Sequence, residues 1–312
     1  MALSHAQEVL ITVLPVLVML GLGVLARKTG IISREGIGAM KRMVMDISLP
    51  AVLLGAFAGA EYTLGSLLLP LVMFGVCLAL LGFGFAGKKL LKLRSPYAPY
   101  MATGFEAGML GYALFAMLYG QAHTASFALL DLGQVLFVFT VYKVLLVRTQ
   151  GGAMTGREIL ASMLTSPTIW AILAGVTLGA TGLYKAMGAF GGDRVLSAVT
   201  DFVAGPTAAV ILLAIGYDLK PDTGHLKEGL KTLALRLPLC LLMMGLMLLI
   251  TRAMFPGDAY IRGAVLLMFL LPPPFVLPII ADDPKERGYA SSTLCLSTMV
   301  TILCFALLAW LA

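Results

Sequence analysis

Met268-Phe269-Leu270-Leu271-Pro272-Pro273-Pro274-Phe275-Val276-Leu277-Pro278-Ile279-Ile280-Ala281-Asp282 sets four prolines inside a run apolar enough for hydrocarbon. Proline lacks a backbone N–H and its ring clashes with the carbonyl four residues back, so no unbroken helix passes through three in succession. A bilayer accommodates interrupted backbone only where protein or a water-filled cavity covers it. Interrupted spans of this kind hold the binding sites of secondary transporters near the bilayer midplane. The stretch predicts an all-α polytopic membrane protein with a broken helix at its centre.

The composition points the same way. Hydrophobic residues make up 60% of the 312 and charged ones 12%, with a mean hydropathy of +0.96. A soluble chain carries roughly a quarter charged residues. Ten apolar runs follow one another, at about 8–26, 43–60, 65–87, 97–119, 124–147, 166–184, 194–217, 231–255, 258–281 and 288–311. The net charge of +6 does not indicate a nucleic-acid partner, because the basic residues sit in short connections and set topology instead. Cys77, Cys240, Cys295 and Cys304 all fall within apolar runs with no CxxC or Cys/His cluster, so they read as small core residues, and neither a metal site nor a disulfide framework is expected.

Seventeen basic residues lie in the connections after runs one, three, five, seven and nine, including Arg27, Lys28, Lys41, Arg42, Lys88, Lys89, Lys227, Lys231 and Arg236. The opposite side holds Lys185, Arg194, Arg252 and Arg262, and Lys143 snorkels from run five to the cytoplasmic interface. The positive-inside rule then places both termini outside a cell-membrane protein, and run one is a retained span rather than a cleaved leader.

Ten runs divide into two sets of five, 1–150 and 151–312, and an odd number inverts the second set. Leu14-Pro15 with Gly21, Gly23 and Thr29-Gly30 is echoed by Ser166-Pro167 with Gly175, Gly179 and Thr181-Gly182. Asp46 before Pro50 is echoed by Asp201 before Pro206, one toward each side of the membrane. The partner of the proline stretch is then run four, where Gly104, Glu106, Gly108, Gly111 and Tyr112 place glycines and a carboxylate within a span. Counted inward at 1.5 Å per residue, Gly108 lies about 16 Å deep and Pro273 about 12 Å deep, so two broken helices, four and nine, cross.

With the segments placed, Gly21-Leu22-Gly23, Asp46-Ile47-Ser48-Leu49-Pro50, Gly104 through Tyr112 and Leu271-Pro272 onward carry a resemblance to the auxin efflux carrier family, within the bile-acid/arsenite/auxin carrier group. It covers nearly the whole chain. The resemblance implies a scaffold of helices 1, 2, 6 and 7, a crossover domain of helices 3–5 and 8–10, small organic anions as substrates and, often, homodimers. This chain departs from the family at the centre: it has no Asn, Asp46 stands where the second-span Asn would be, and Glu106 lies near the first crossover position.

The candidate substrate-binding residues are therefore Gly104, Glu106, Gly108, Gly111, Tyr112, Pro272, Pro273, Pro274 and Pro278, with half-helix N-termini turned to a carboxylate. Glu106, Asp46, Asp201 and Asp131 are the coupling or gating candidates, with H+ or Na+ as the coupling ion and no cofactor. Glu106 is the one carboxylate near the middle of a span, where buried charge is costly and usually functional. Asp46 has a second reading as an ion pair with Arg42 one turn earlier, and Asp131 and Gln134 share a face of run five. A non-enzymatic carrier is the expected function. Its rivals are a passive channel, a membrane sensor that binds without flux and, more remotely, an intramembrane aspartyl protease suggested by Tyr217-Asp218 but lacking Gly-x-Gly-Asp in a later span.

Overall fold

The computed structural model describes residues 5–220, 223–275, 277 and 283–311, and among these every regular element is helical. The longer helices are α1 (His5–Thr29), α2 (34–58), α3 (Leu64–Leu90), α4 (Ala98–Met101), α5 (Ala107–Tyr119), α6 (Gln121–Thr149), α7 (Gly156–Leu164), α8 (Pro167–Ala180), α9 (Gly192–Ala204), α10 (Thr207–Asp218), α11 (Leu226–Met254), α12 (Ala259–Leu270) and α13 (Pro284–Leu311). Polar residues at their starts hold the otherwise unpaired N–H groups. Thr63 and Ser66 form a capping box at α3, Thr155 and Glu158 another at α7, and the Asp258 carboxylate accepts from the Tyr260 and Ile261 amides at α12. Single prolines, Pro15, Pro70 and Pro238, are absorbed within α1, α3 and α11. The triple proline is not absorbed, and α12 stops at Leu270.

Among the described residues, six stretches are long and apolar enough to cross a membrane: Val9–Thr29, α3, α6, Gly192–Asp218, Thr223–Met254 and α13. The pair α7–α8, bent by 73°, counts as a seventh if it is one span. The other three apolar runs differ for physical reasons. Run two falls on α2, which is continuous but carries Arg34, Glu35, Lys41, Arg42 and Asp46 through its first two-thirds. Runs four and nine are interrupted, and among the described residues they give the short apolar helices α5 and α12.

Helix packing sorts into two clusters. In the first, α1 lies along α10, and α2 lies along α8 and α9. Glycine allows this close approach: a β-carbon on Gly216 would land inside the Leu20 carbonyl, and one on Gly23 inside that of Leu213. Gly175 and Gly179 do the same for α8 against the backbone of α2 at Leu54 and Phe57. Small residues at crossings are how helices gain contact in lipid, where apolar burial supplies no drive. In the second cluster α3 lies along α6 and α11, while α11 also lies along α12 and α13. Cys77, Cys240 and Cys295 are buried, free thiols within this packing.

One basic residue is not where its position in the sequence suggests. Arg236 belongs to no connection; it lies inside α11, ten residues and about 15 Å beyond Leu226, and is 3% exposed.

The crossing of α1 with α10 gives a signed test. Gly216→Ala should destabilise the protein by about 1–3 kcal/mol through overpacking. Gly21→Ala, in α1 with open space around it, should be neutral or stabilising by up to about 1 kcal/mol through helix propensity. Thermal unfolding in detergent separates the two; equal midpoints would contradict the close crossing.

Candidate functional site

The two interrupted stretches meet. α4 ends at Met101, the chain runs without helix from Thr103 to Glu106, and α5 begins at Ala107. Gly104 makes the turn with φ +72°, a conformation that favours glycine, and its Cα faces the ring of Pro274, which a β-carbon would meet at 3.0 Å. The Glu106 amide donates to the Pro272 carbonyl at 2.8 Å. The Glu106 side chain caps α5 by accepting from the Met109 amide at 3.2 Å, and its other oxygen accepts from the Phe275 amide at 2.6 Å. Because three prolines precede it, Phe275 carries the first N–H after Leu271. One buried carboxylate, 8% exposed, therefore closes both interruptions at once.

The carbonyls freed by the breaks are held from other helices. Arg236 of α11 donates to Met101, Gly104 and Leu271 at 3.2, 2.8 and 2.9 Å, and its guanidinium lies 5.3 Å from the centre of the Phe105 ring. Gln134 of α6 donates to the Phe105 carbonyl at 2.9 Å, and Thr301 of α13 to that of Leu270 at 2.6 Å. Cation meets carbonyl ends and anion meets an amide end, the arrangement favoured by the helix dipole.

A cavity of about 640 Å³ opens beside this crossing, between α2 and α8 on one wall and α5 and α6 on the other. Lys41, Arg42 and Lys143 line it toward the side where α2 begins; Asp46, Glu106, Asp131, Gln134 and Pro274 line it further in. Three π-helical turns are present among the described residues, Val44–Ser48, Ala107–Gly111 and Val138–Tyr142, and each contributes lining residues. A π turn inserts one residue into the helical register, at some cost in hydrogen bonding, and such turns concentrate at functional sites.

Of the predicted site residues, Gly104, Glu106, Gly108, Pro272, Pro273 and Pro274 converge at the crossing or the adjoining cavity. Gly111 lies behind it, against Phe127 and Leu271. Tyr112 is buried, and its hydroxyl donates to Asp131 at 3.1 Å. Asp131, 3% exposed, also accepts from Gln134 at 3.1 Å. Asp46 lines the cavity without an ion pair to Arg42, because the π turn shifts the register between them. Lys143 lines the cavity as well, so it does not simply reach to the interface. Asp201 stands apart: it is exposed on α9 and lines none of this cavity. Pro278 lies outside the described residues. Asp218, which suggested a protease, is ion-paired with Lys41. Among the described residues no three His, Cys, Asp or Glu side chains converge as metal ligands would.

Arg236 is the residue at the crossing that sequence reasoning missed. The signal was available: an arginine among Leu233, Leu235, Leu237 and Leu239, well past the helix start, is either lipid-facing or buried for a purpose.

No family model matches the chain. A protein of Methanothermobacter thermautotrophicus, described as an uncharacterized transporter, is 23% identical over 304 residues, covering 93% of this chain and 94% of its own length. Likeness from end to end, together with the apolar helices, makes this a membrane protein related to a transporter.

Arg236→Met should leave three buried carbonyls unpaired and lower stability by on the order of 3 kcal/mol or more. Arg236→Lys keeps the charge but not the fork, and should fall between. An unchanged unfolding midpoint for the Met variant in detergent would remove Arg236 from this role.

Proposed function

We propose that the protein is a secondary active transporter that carries a small organic anion of carboxylate type across the cell membrane by alternating access, as an auxin-efflux-carrier-type protein. The observation that carries the reading is the cavity that ends at the crossing of two interrupted helices and is lined by every π turn described. Its α2 wall runs from Gly38 to Leu53 and stops, although α2 continues to Ala58. A cavity that reaches the middle from one side suits a carrier better than a continuous pore.

Packing supports two inverted five-helix repeats, 1–150 and 151–312. In that scheme α8 is the counterpart of α1, and α9–α10 that of α2. The pairing of α1 with α10 then corresponds to that of α8 with α2, and both crossings are backed by glycine. The contact of Gln134 with the Phe105 carbonyl corresponds to that of Thr301 with the Leu270 carbonyl. The cluster of α1, α2, α8, α9 and α10 is the scaffold; α3–α6 and α11–α13 are the moving crossover domain. With basic residues inside, both termini lie outside and the cavity faces the cytoplasm. Asp46, Glu106 and Asp131 in one cavity favour coupling to H+ or Na+. Exposed Asp201 on α9 is compatible with a scaffold-mediated homodimer.

Purified protein in liposomes should show saturable uptake of a radiolabelled carboxylate that is accelerated by the same anion trapped inside. Uptake should rise on acidification by up to about tenfold per pH unit, the ceiling for one titrating group. Glu106→Gln should flatten that dependence. Linear flux without counter-flow would indicate a channel, and binding without flux a sensor.

A further inference from the structure

The amides expected to receive a substrate carboxylate are already taken. Met109 and Phe275, at the ends of the two interruptions, both donate to Glu106. We infer that Glu106 is a tethered stand-in for the substrate: its carboxylate and that of the cargo compete for the same two N–H groups, and a proton on Glu106 decides between them. This rests on the transporter reading and deepens it, since it gives coupling a stoichiometry of one proton per carboxylate group.

Three observations point to a ligand here rather than to a closed structural cap. Glu106 is not sealed into protein; it lines the cavity, together with Gly108, Pro274 and Phe275 beside it. Next, the site holds an unfilled acceptor. Gln134 is 4% exposed and lines the same cavity; its nitrogen is spent on Asp131 and on the carbonyl of Phe105, the neighbour of Glu106, while its Oε1 has no partner. A buried acceptor left empty costs free energy until a donor arrives. A protonated Glu106 is such a donor. Finally, the cavity also carries the basic side chains of Arg42 and Lys143, of opposite charge to an arriving anion.

The step balances. A hydronium from the aqueous side gives its proton to a Glu106 oxygen and leaves as water, the hydrogen bonds from Met109 and Phe275 break, and the new O–H turns to Gln134 Oε1. Both amides then donate to the cargo carboxylate. Proton and carboxylate move together with no net charge, and release on the other side reverses the exchange. Other charged or titratable groups around Glu106 have their own partners or positions. From α2 there are Lys41, paired with Asp218, and Arg42 and Asp46 on the cavity wall. From α6 come Asp131, held by Tyr112 and Gln134, Tyr142, bonded to the Tyr100 carbonyl, and Lys143; from α11 comes Arg236, committed to three carbonyls.

Acetate is the smallest probe of a vacated carboxylate site. The full-length protein in detergent is unfolded thermally in sodium acetate and in sodium chloride of equal ionic strength, at pH 7.5 and 5.5. Glu106→Ala, which removes the stand-in, should be stabilised by acetate over chloride by about 3 °C or more at both pH values. Wild type should show that difference at pH 5.5 and lose most of it at pH 7.5. Glu106→Gln, which keeps the volume if the Ala variant does not fold, should respond to acetate independently of pH. Asp131→Asn should retain the pH dependence of the acetate shift; if it abolishes it, the deciding proton is not on Glu106. The inference is overturned if folded Ala and Gln variants respond to acetate no more than wild type does at pH 7.5. Liposomes separate the two readings. Carboxylate exchange by wild type without acetate stabilisation of the variants sinks the stand-in alone, whereas stabilisation without any exchange sinks transport and leaves the site.

Discussion

A helix that stops inside a bilayer strands backbone carbonyls and amides where no bulk water can reach them, at several kcal/mol for each one left unpaired. Two such stops side by side would be prohibitive without partners brought from elsewhere. Here Leu270, Leu271 and Pro272, three consecutive carbonyls, receive donors from α13, from α11 and from the Glu106 amide respectively. Tyr100, Met101, Gly104 and Phe105 on the other strand are served by Tyr142, Arg236 and Gln134. Each of those side chains is fixed by this duty, and the helices that carry them are fixed in turn. The arrangement of α6, α11 and α13 around the crossing is thus set by which carbonyls need a hydrogen.

The charges obey the same demand. Arg236 gathers carbonyls, the negative ends of the broken pieces, and Glu106 gathers amides, the positive ones. Each ion is stabilised by peptide groups that the break exposed, so neither depends on water. What distinguishes them is access: Glu106 borders the cavity, whereas Arg236 does not. The exchange proposed at Glu106 rests on that asymmetry, with Arg236 as the fixed partner.

Much of this was legible in residues. Three prolines in an apolar run and glycines around Glu106 located both interruptions, because backbone chemistry at proline and glycine is local and needs no neighbours to be read. Arg236 was misplaced because it was counted with the basic residues of the preceding connection, although the apolar run begins at 231 and the helix that carries both starts earlier still, at Leu226. The failed pairing of Asp46 with Arg42 came from counting regular turns across Val44–Ser48, since a π turn leaves no mark in composition. Asp201 echoed Asp46 in spacing from a proline, yet the echo concerns the chain and not the cavity, and the residue ended up on an outer face. Burial and register are decided by partners more than a hundred residues away, as for Arg236 with Met101 and Glu106 with Phe275, and those a single sequence does not display.

The grip of Arg236 has a mechanical side. One guanidinium on an uninterrupted helix holds peptide oxygens from both broken strands, so rotating either piece alone would tear it loose. Any displacement of the crossing would therefore carry α11 with it. Its opposing surface is different in kind. Leu49 and Leu53 of α2 and Val135 and Val138 of α6 line the cavity with aliphatic side chains, which have no directional bonds to break. The molecule is bolted together at the crossing, and the gap beside it mixes aliphatic with charged side chains.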